Sequence, residues 1–151
     1  SRYHTLSESK FIYESYLSCE YSMILTGAAF YHRFYSFYYS FIMSKQIRDL
    51  VDEIQNCEDI AFNMMISHLT RKPPLKVTVR YTFYCKKCEN QTIDAQPLSL
   101  RDGHYAKRTE CLKRFISIYG YNPLLYSQYR ADSVLYRTRT GPNVQKCFKY
   151  V

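Results

Sequence analysis

Tryptophan is absent from this chain of 151 residues, and glycine and proline are scarce at four and five. No Gly/Ser-rich or Pro-rich linker and no internal repeat divides it, so one unit spanning 1–151 is expected. An uninterrupted apolar run of about 20 residues, the length a membrane-spanning helix needs, is also missing. The aromatic segment from Met23 to Met43 comes nearest, and His32, Arg33 and several serines break it. No basic, apolar leader opens the sequence, which begins at Ser1. Cys85-Lys86-Lys87-Cys88 has no second Cys-x-x-Cys and no His-x-x-x-His to complete a zinc site, which favours a disulfide framework.

What is present is apolar and basic. Hydrophobic residues make up 46% and aromatics 17%, enough for a packed core and too much for a disordered tail. Seventeen tyrosines can bury their rings while keeping hydroxyls for polar partners. The formal net charge is +8, concentrated near Arg101, Lys107, Arg108, Lys113 and Arg114 and again from Arg130 to Lys149. That balance favours an anionic partner, with anionic glycans, nucleotide diphosphates, nucleic acid and membrane surfaces all answering to it. Six cysteines and the N-glycosylation sequon at Asn90 fit a lumenal, oxidising compartment.

The pattern is α/β. Residues 1–20 show no clear period and suggest a loop or short irregular strands. Tyr21 to Phe30 reads as a buried strand broken at Gly27, and His32 to Ile42 as a helix with a wide aromatic face. Ser44 is placed to cap a helix through Ile54 that carries Ile47, Leu50, Val51 and Ile54 on one side. Cys57 to Thr70 is a further helix, stopped by Pro73-Pro74. Alternation of Val77, Val79, Tyr81 and Phe83 predicts a strand over Lys76 to Tyr84, followed by a loop from Cys85 to Gly103. A helix from His104 to Tyr119 then ends at Gly120.

Two sets of residues could carry chemistry. Glu58 and Asp59 fall in the first turn of a helix, where unpaired N–H groups and the macrodipole favour ionised carboxylates. His104 and Arg108 are four apart, on one helix face, with Cys111 a turn further on. Residue types alone leave both sets open to a structural role.

Asn56-Cys57-Glu58-Asp59-Ile60-Ala61, the upstream Tyr21-Ser22-Met23-Ile24-Leu25-Thr26-Gly27-Ala28-Ala29-Phe30-Tyr31-His32 and the later Tyr119-Gly120-Tyr121-Asn122-Pro123 resemble the exostosin family of glycosyltransferases, which build heparan sulfate. The likeness covers essentially the whole chain. It implies a retaining α-1,4-N-acetylglucosaminyltransferase, using UDP-GlcNAc on a glucuronic-acid-terminated proteoglycan linkage tetrasaccharide or heparan chain. Within the family it points to members that add the first N-acetylglucosamine.

The same resemblance implies the C-terminal half of an α/β GT-A domain. The Asp-x-Asp motif that binds manganese and uridine diphosphate in such domains is not found here, so manganese would be held mainly by an upstream half and this piece alone would be inactive. It implies that Asp59 and Arg108 act in catalysis, that Asn56, Glu58, Asp59, His104 and Arg108 contact substrate, and that His104 lies near the metal. It also implies a Cys57–Cys111 disulfide, a type II membrane protein of the endoplasmic reticulum or Golgi, and homo- or hetero-oligomers with other exostosins. The rival expectation is a catalytically silent glycan-binding or scaffold domain. A nucleic-acid module is disfavoured by the sequon, the cysteines and the lack of an RNP-like motif.

Overall fold

The computed structural model describes residues 3–7, 10–14, 21–26, 29–77, 103–128 and 130–131. The expected strand beyond Val77, the loop from Cys85 as far as Asp102, the Asn90 sequon and the pairing of Cys19, Cys85, Cys88 and Cys147 lie outside them.

The centre of the molecule is a helix that is apolar on nearly every side. This helix, α3 (Glu58–Thr70), buries Ile60, Ala61, Met64 and Met65 together with the polar Asp59, Asn63 and Ser67. A helix buried all round must be covered all round. The amphipathic α2 (Lys45–Ile54) turns Ile47 and Leu50 inward, and α4 (His104–Tyr119) brings Leu112 and Phe115. Both helices end in left-handed residues, Gln55 after α2 and Gly120 after α4. Glycine has no Cβ to oppose that conformation, and at Gly120 it does what the sequence leads one to expect. Ser44 stands at the start of α2 without a capping hydrogen bond from its side chain.

The aromatic segment begins as α1 (Arg33–Phe37), capped by His32, whose Nδ1 accepts from the Phe34 amide at 3.2 Å. It continues as a π-helical turn, Tyr38–Ile42. No helix among the described residues is long and apolar enough to cross a membrane.

Strands are minor. The segment expected to be irregular forms an antiparallel pair, β1 (Tyr3–Ser7) with β2 (Lys10–Glu14), in which Thr5 pairs with Ile12. β3 (Lys76–Val77) lies parallel to β4 (Arg130–Ala131). The expected α/β GT-A half is therefore corrected: the described core is helical, and its strands form two separate two-stranded pairs.

The expected strand from Tyr21 to Phe30 shows why. Tyr21 makes a single antiparallel bridge to Ser127, with N–H···O distances of 3.0 and 2.8 Å. Beyond it the Asn63 side chain takes the place of a neighbouring strand. Its Oδ1 accepts from the Ile24 amide at 3.1 Å and its Nδ2 donates to the Ile24 carbonyl at 2.7 Å. The backbone is satisfied by a helix side chain, so the apolar run of Tyr21 and Met23 is buried without a sheet.

Candidate active site at the α3 entrance

The chain reaches α3 through two consecutive constraints. Cys57, directly before the helix, adopts a left-handed conformation at φ 77°, uncommon for a residue with a Cβ. Its amide donates to Asn56 Oδ1 at 2.7 Å, and its carbonyl accepts the first helical bond from Ala61 at 3.0 Å. The expected disulfide is present: Cys57 is bonded to Cys111 of α4, with 6.4 Å between their Cα atoms. The entrance of α3 is thereby tied to the middle of α4.

Arg108 sits one helical turn before Cys111 and reaches the same point. Its Nη2 donates to both Asp59 oxygens at 2.5 Å, and Nη1 donates to Asn56 Oδ1 at 3.1 Å. Arg108 and Asp59 are each only 4% exposed. Asp59 Oδ1 also accepts from the Ile60 amide at 2.8 Å, as a first-turn carboxylate should. The Tyr13 ring lies beneath the guanidinium, 4.4 Å from its carbon, and β2 is held there by a hydrogen bond from the Tyr13 amide to Thr109 Oγ1. Burial opposes the charge on Arg108, but the Asp59 carboxylate and, to a lesser degree, Tyr13 outweigh it and raise its pKa. Arg108 remains a cation at any working pH.

His104 is brought to the group from the first turn of α4, its Nδ1 3.3 Å from Asn56 Nδ2. Because Asn56 Oδ1 already accepts two bonds, the amide nitrogen faces the ring and donates, which leaves Nδ1 as the acceptor. Glu58 differs from its neighbour Asp59. It is exposed, and lines an open cavity together with Phe62, Tyr31 and Tyr39. Tyr39 answers to its surroundings: burial, then the charges of Glu58, Asp52 and Asp59, push its hydroxyl up to about 12.

Asn56, Asp59, His104 and Arg108 thus meet, joined by the disulfide, while Glu58 faces a neighbouring cavity. The implied manganese finds no ligand set here: among the described residues no three His, Cys, Asp or Glu side chains cluster. Sequence reasoning passed over Tyr13 and Asn63. Tyr13 arrives by a contact 95 residues long (108 − 13), which no local pattern reveals. Asn63 left a trace, an amide one turn after Asp59 inside the apolar run from Ile60 to Ile66; its Nδ2 also donates to the Asp59 carbonyl at 2.7 Å.

Residues 1–136 match the model of the glycosyl transferase family 64 domain. The chain is 49% identical over all of its 151 residues to an exostosin-like-3 homolog of Caenorhabditis elegans, covering 18% of that protein. It is 43% identical to human exostosin-2 over 129 residues, 85% of the chain and 17% of the relative. To mouse exostosin-1 it is 39% identical over 135 residues, 89% of the chain and 18% of the relative. The chain spans less than a fifth of the length of these relatives. The chain belongs to the glycosyl transferase family 64, the exostosin family.

Proposed function

We propose that the chain forms the acceptor side and part of the donor cradle of a retaining transferase. In this reading the complete protein moves N-acetylglucosamine from UDP-GlcNAc to a glucuronic-acid-terminated linkage or heparan chain. The observation that carries it is the Asn56–Asp59–Arg108 group, three buried polar side chains converging at one helix start in a family of glycosyltransferases. A carboxylate held this firmly can orient an acceptor hydroxyl and stabilise positive charge growing at the anomeric carbon. Arg108 would balance the departing diphosphate while holding Asp59 in place. His104 and Asn56 would complete the donor contacts. The described residues offer no site for manganese. The Cys57–Cys111 bond favours a lumenal setting in the endoplasmic reticulum or Golgi, and other exostosins are the proposed partners.

One observation favours a second reading: Asp59 and Arg108 neutralise each other and are almost fully buried, as in a purely structural strut of a glycan-binding domain. Steady-state transfer by the full-length protein separates the two. Asp59→Asn should reduce transfer by at least about 100-fold on the first reading. Near-normal turnover would leave only the strut.

A further inference from the structure

The aromatic segment is amphipathic in the wrong sense for a surface that faces water. α1 and the π-helical turn after it set Tyr35, Tyr38 and Tyr39 against the core, where they are half-buried. The side left to solvent carries Phe34, Phe37, Phe41 and Ile42, which are 46, 51, 72 and 51% exposed. The more polar aromatic is thus packed inward and the more apolar one stands outside. Phe37 and Phe41 lie side by side with ring centroids 5.2 Å apart, and Phe30, just before the helix, is fully exposed. Single apolar side chains on a surface are ordinary, whereas a contiguous run of them marks an interaction surface.

Charge and length decide what covers it. From Phe30 to Arg48 the chain has no Asp or Glu and carries Arg33, Lys45 and Arg48. Lys45 is paired with Asp49, and Arg48 donates to the Ser40 carbonyl. Arg33 is exposed and takes part in no ion pair among the described residues. Ser36, Ser40 and Ser44 are exposed along the same stretch and supply hydroxyls. A water–lipid interface calls for this mixture, since rings enter the acyl boundary while hydroxyls and cations stay with the headgroups. The helical stretch, five residues of α1 and five of the π-helical turn, is far shorter than the roughly 20 residues that span a bilayer. It can lie along a bilayer but not cross one. We propose that the face of Phe34, Phe37 and Phe41 docks on an acidic phospholipid surface, with these rings in the interface and Arg33 on the headgroup charge. The docking is reversible, because the patch is small and a single unpaired cation adds little.

Hydrogen–deuterium exchange of the full-length protein, read by mass spectrometry with and without vesicles, tests this. The vesicles are phosphatidylcholine alone or phosphatidylcholine with phosphatidylserine. Because the readout is local, it reports this face however the rest of the protein meets the vesicle. Amides of residues 30–43 should gain protection on vesicles containing phosphatidylserine and gain less on phosphatidylcholine alone, and salt should erase much of that difference. Phe37→Ser with Phe41→Ser should lose the protection while melting as the wild type does, since both rings stand outside the core. Arg33→Gln, which removes no packed side chain, should lose the preference for phosphatidylserine. Absence of protection on both vesicles, protection retained in the double serine variant, or an unchanged lipid preference in Arg33→Gln would overturn the docking. Protection of the same amides that rises with protein concentration in the absence of vesicles would overturn it in favour of a second copy of the chain.

Discussion

Arg108 and Asp59 are bonded twice through a single nitrogen, Nη2 to Oδ1 and Oδ2, at a place where neither side chain is more than 6% exposed. Two buried charges in this relation depend on each other. Replacing one partner leaves the other uncompensated, which typically costs about 3–5 kcal/mol. Asp59→Asn should therefore lower the thermal midpoint as well as reduce transfer by at least about 100-fold. The two losses are separable. Asp59→Leu combined with Arg108→Met should regain much of the stability and none of the activity, and a double variant as unstable as Asp59→Asn would show that charge burial is not the cause.

The Cys57–Cys111 bond closes a loop of sequence separation 54 at Cys57, whose backbone is left-handed. Chain entropy gives such a closure about 4 kcal/mol of stabilisation. Cys57→Ala with Cys111→Ala should lower the urea midpoint accordingly, and peptide mapping without reductant should recover the two segments linked. Recovery of both thiols free from unreduced protein would contradict the pairing.

Asn63 replaces a strand neighbour for Ile24, so removing its amide takes the partner from both the N–H and the C=O of Ile24, which are part-buried. Each buried polar group left without a partner costs about 1–3 kcal/mol. Asn63→Leu, close in volume, should destabilise the protein and raise amide exchange at Ile24 in particular. Unchanged protection of that amide would mean the side chain is not its partner.

The helices were legible because their signals are local. Gly120 ended α4, Pro73-Pro74 stopped the run after α3, and the three-and-four spacing of Ile47, Leu50 and Ile54 marked α2. The acidic residues before Ile60 and the His104–Arg108 spacing likewise placed these side chains on the first turns of α3 and α4. What local pattern could not give was partnership. The alternation and apolarity around Tyr21 and Met23 suit a strand, yet whether a strand lies beside them is decided by residues as distant as Asn63 and Ser127. For the same reason Arg108, counted among basic residues facing an anion, is found turned inward on Asp59 over the Tyr13 ring.

Tyr39 and Tyr119 give the fold an alkaline limit. Burial, reinforced by Glu58 and other carboxylates at Tyr39 and by neighbouring tyrosines at Tyr119, raises both hydroxyls to about 12 from about 10. The folded chain thus keeps two protons that the unfolded chain gives up. Their contribution is fully present below pH about 10 and is lost between about 10 and 12. Unfolding free energies measured by urea at stepped pH should fall across that window, and Tyr39→Phe with Tyr119→Phe should flatten the fall. An identical slope in the double variant would reject these two residues as its source.

Arg108 can serve transfer in two ways, as the clamp on Asp59 or as the counter-charge to the leaving diphosphate. Its Nη2 and Nη1 donate to Asp59 and Asn56, and its Nε is buried with no hydrogen-bond partner among the described residues, so a phosphate contact must either share the Nη donors with this network or reach Nε. Lysine keeps the charge but loses the planar fork that spans both partners. Arg108→Lys should then retain an ion pair to Asp59, give up the Asn56 bond, and lower kcat more than it raises KM for the acceptor, because charge on the leaving group is greatest in the transition state. Product binding tells the two roles apart. If Arg108 touches the diphosphate, UDP affinity should fall in both Arg108→Lys and Arg108→Ala, and substrates with a better leaving group should recover part of kcat. If kcat falls while UDP affinity and leaving-group dependence stay at wild-type values, Arg108 acts only by positioning Asp59, and the diphosphate must find its cation elsewhere in the protein.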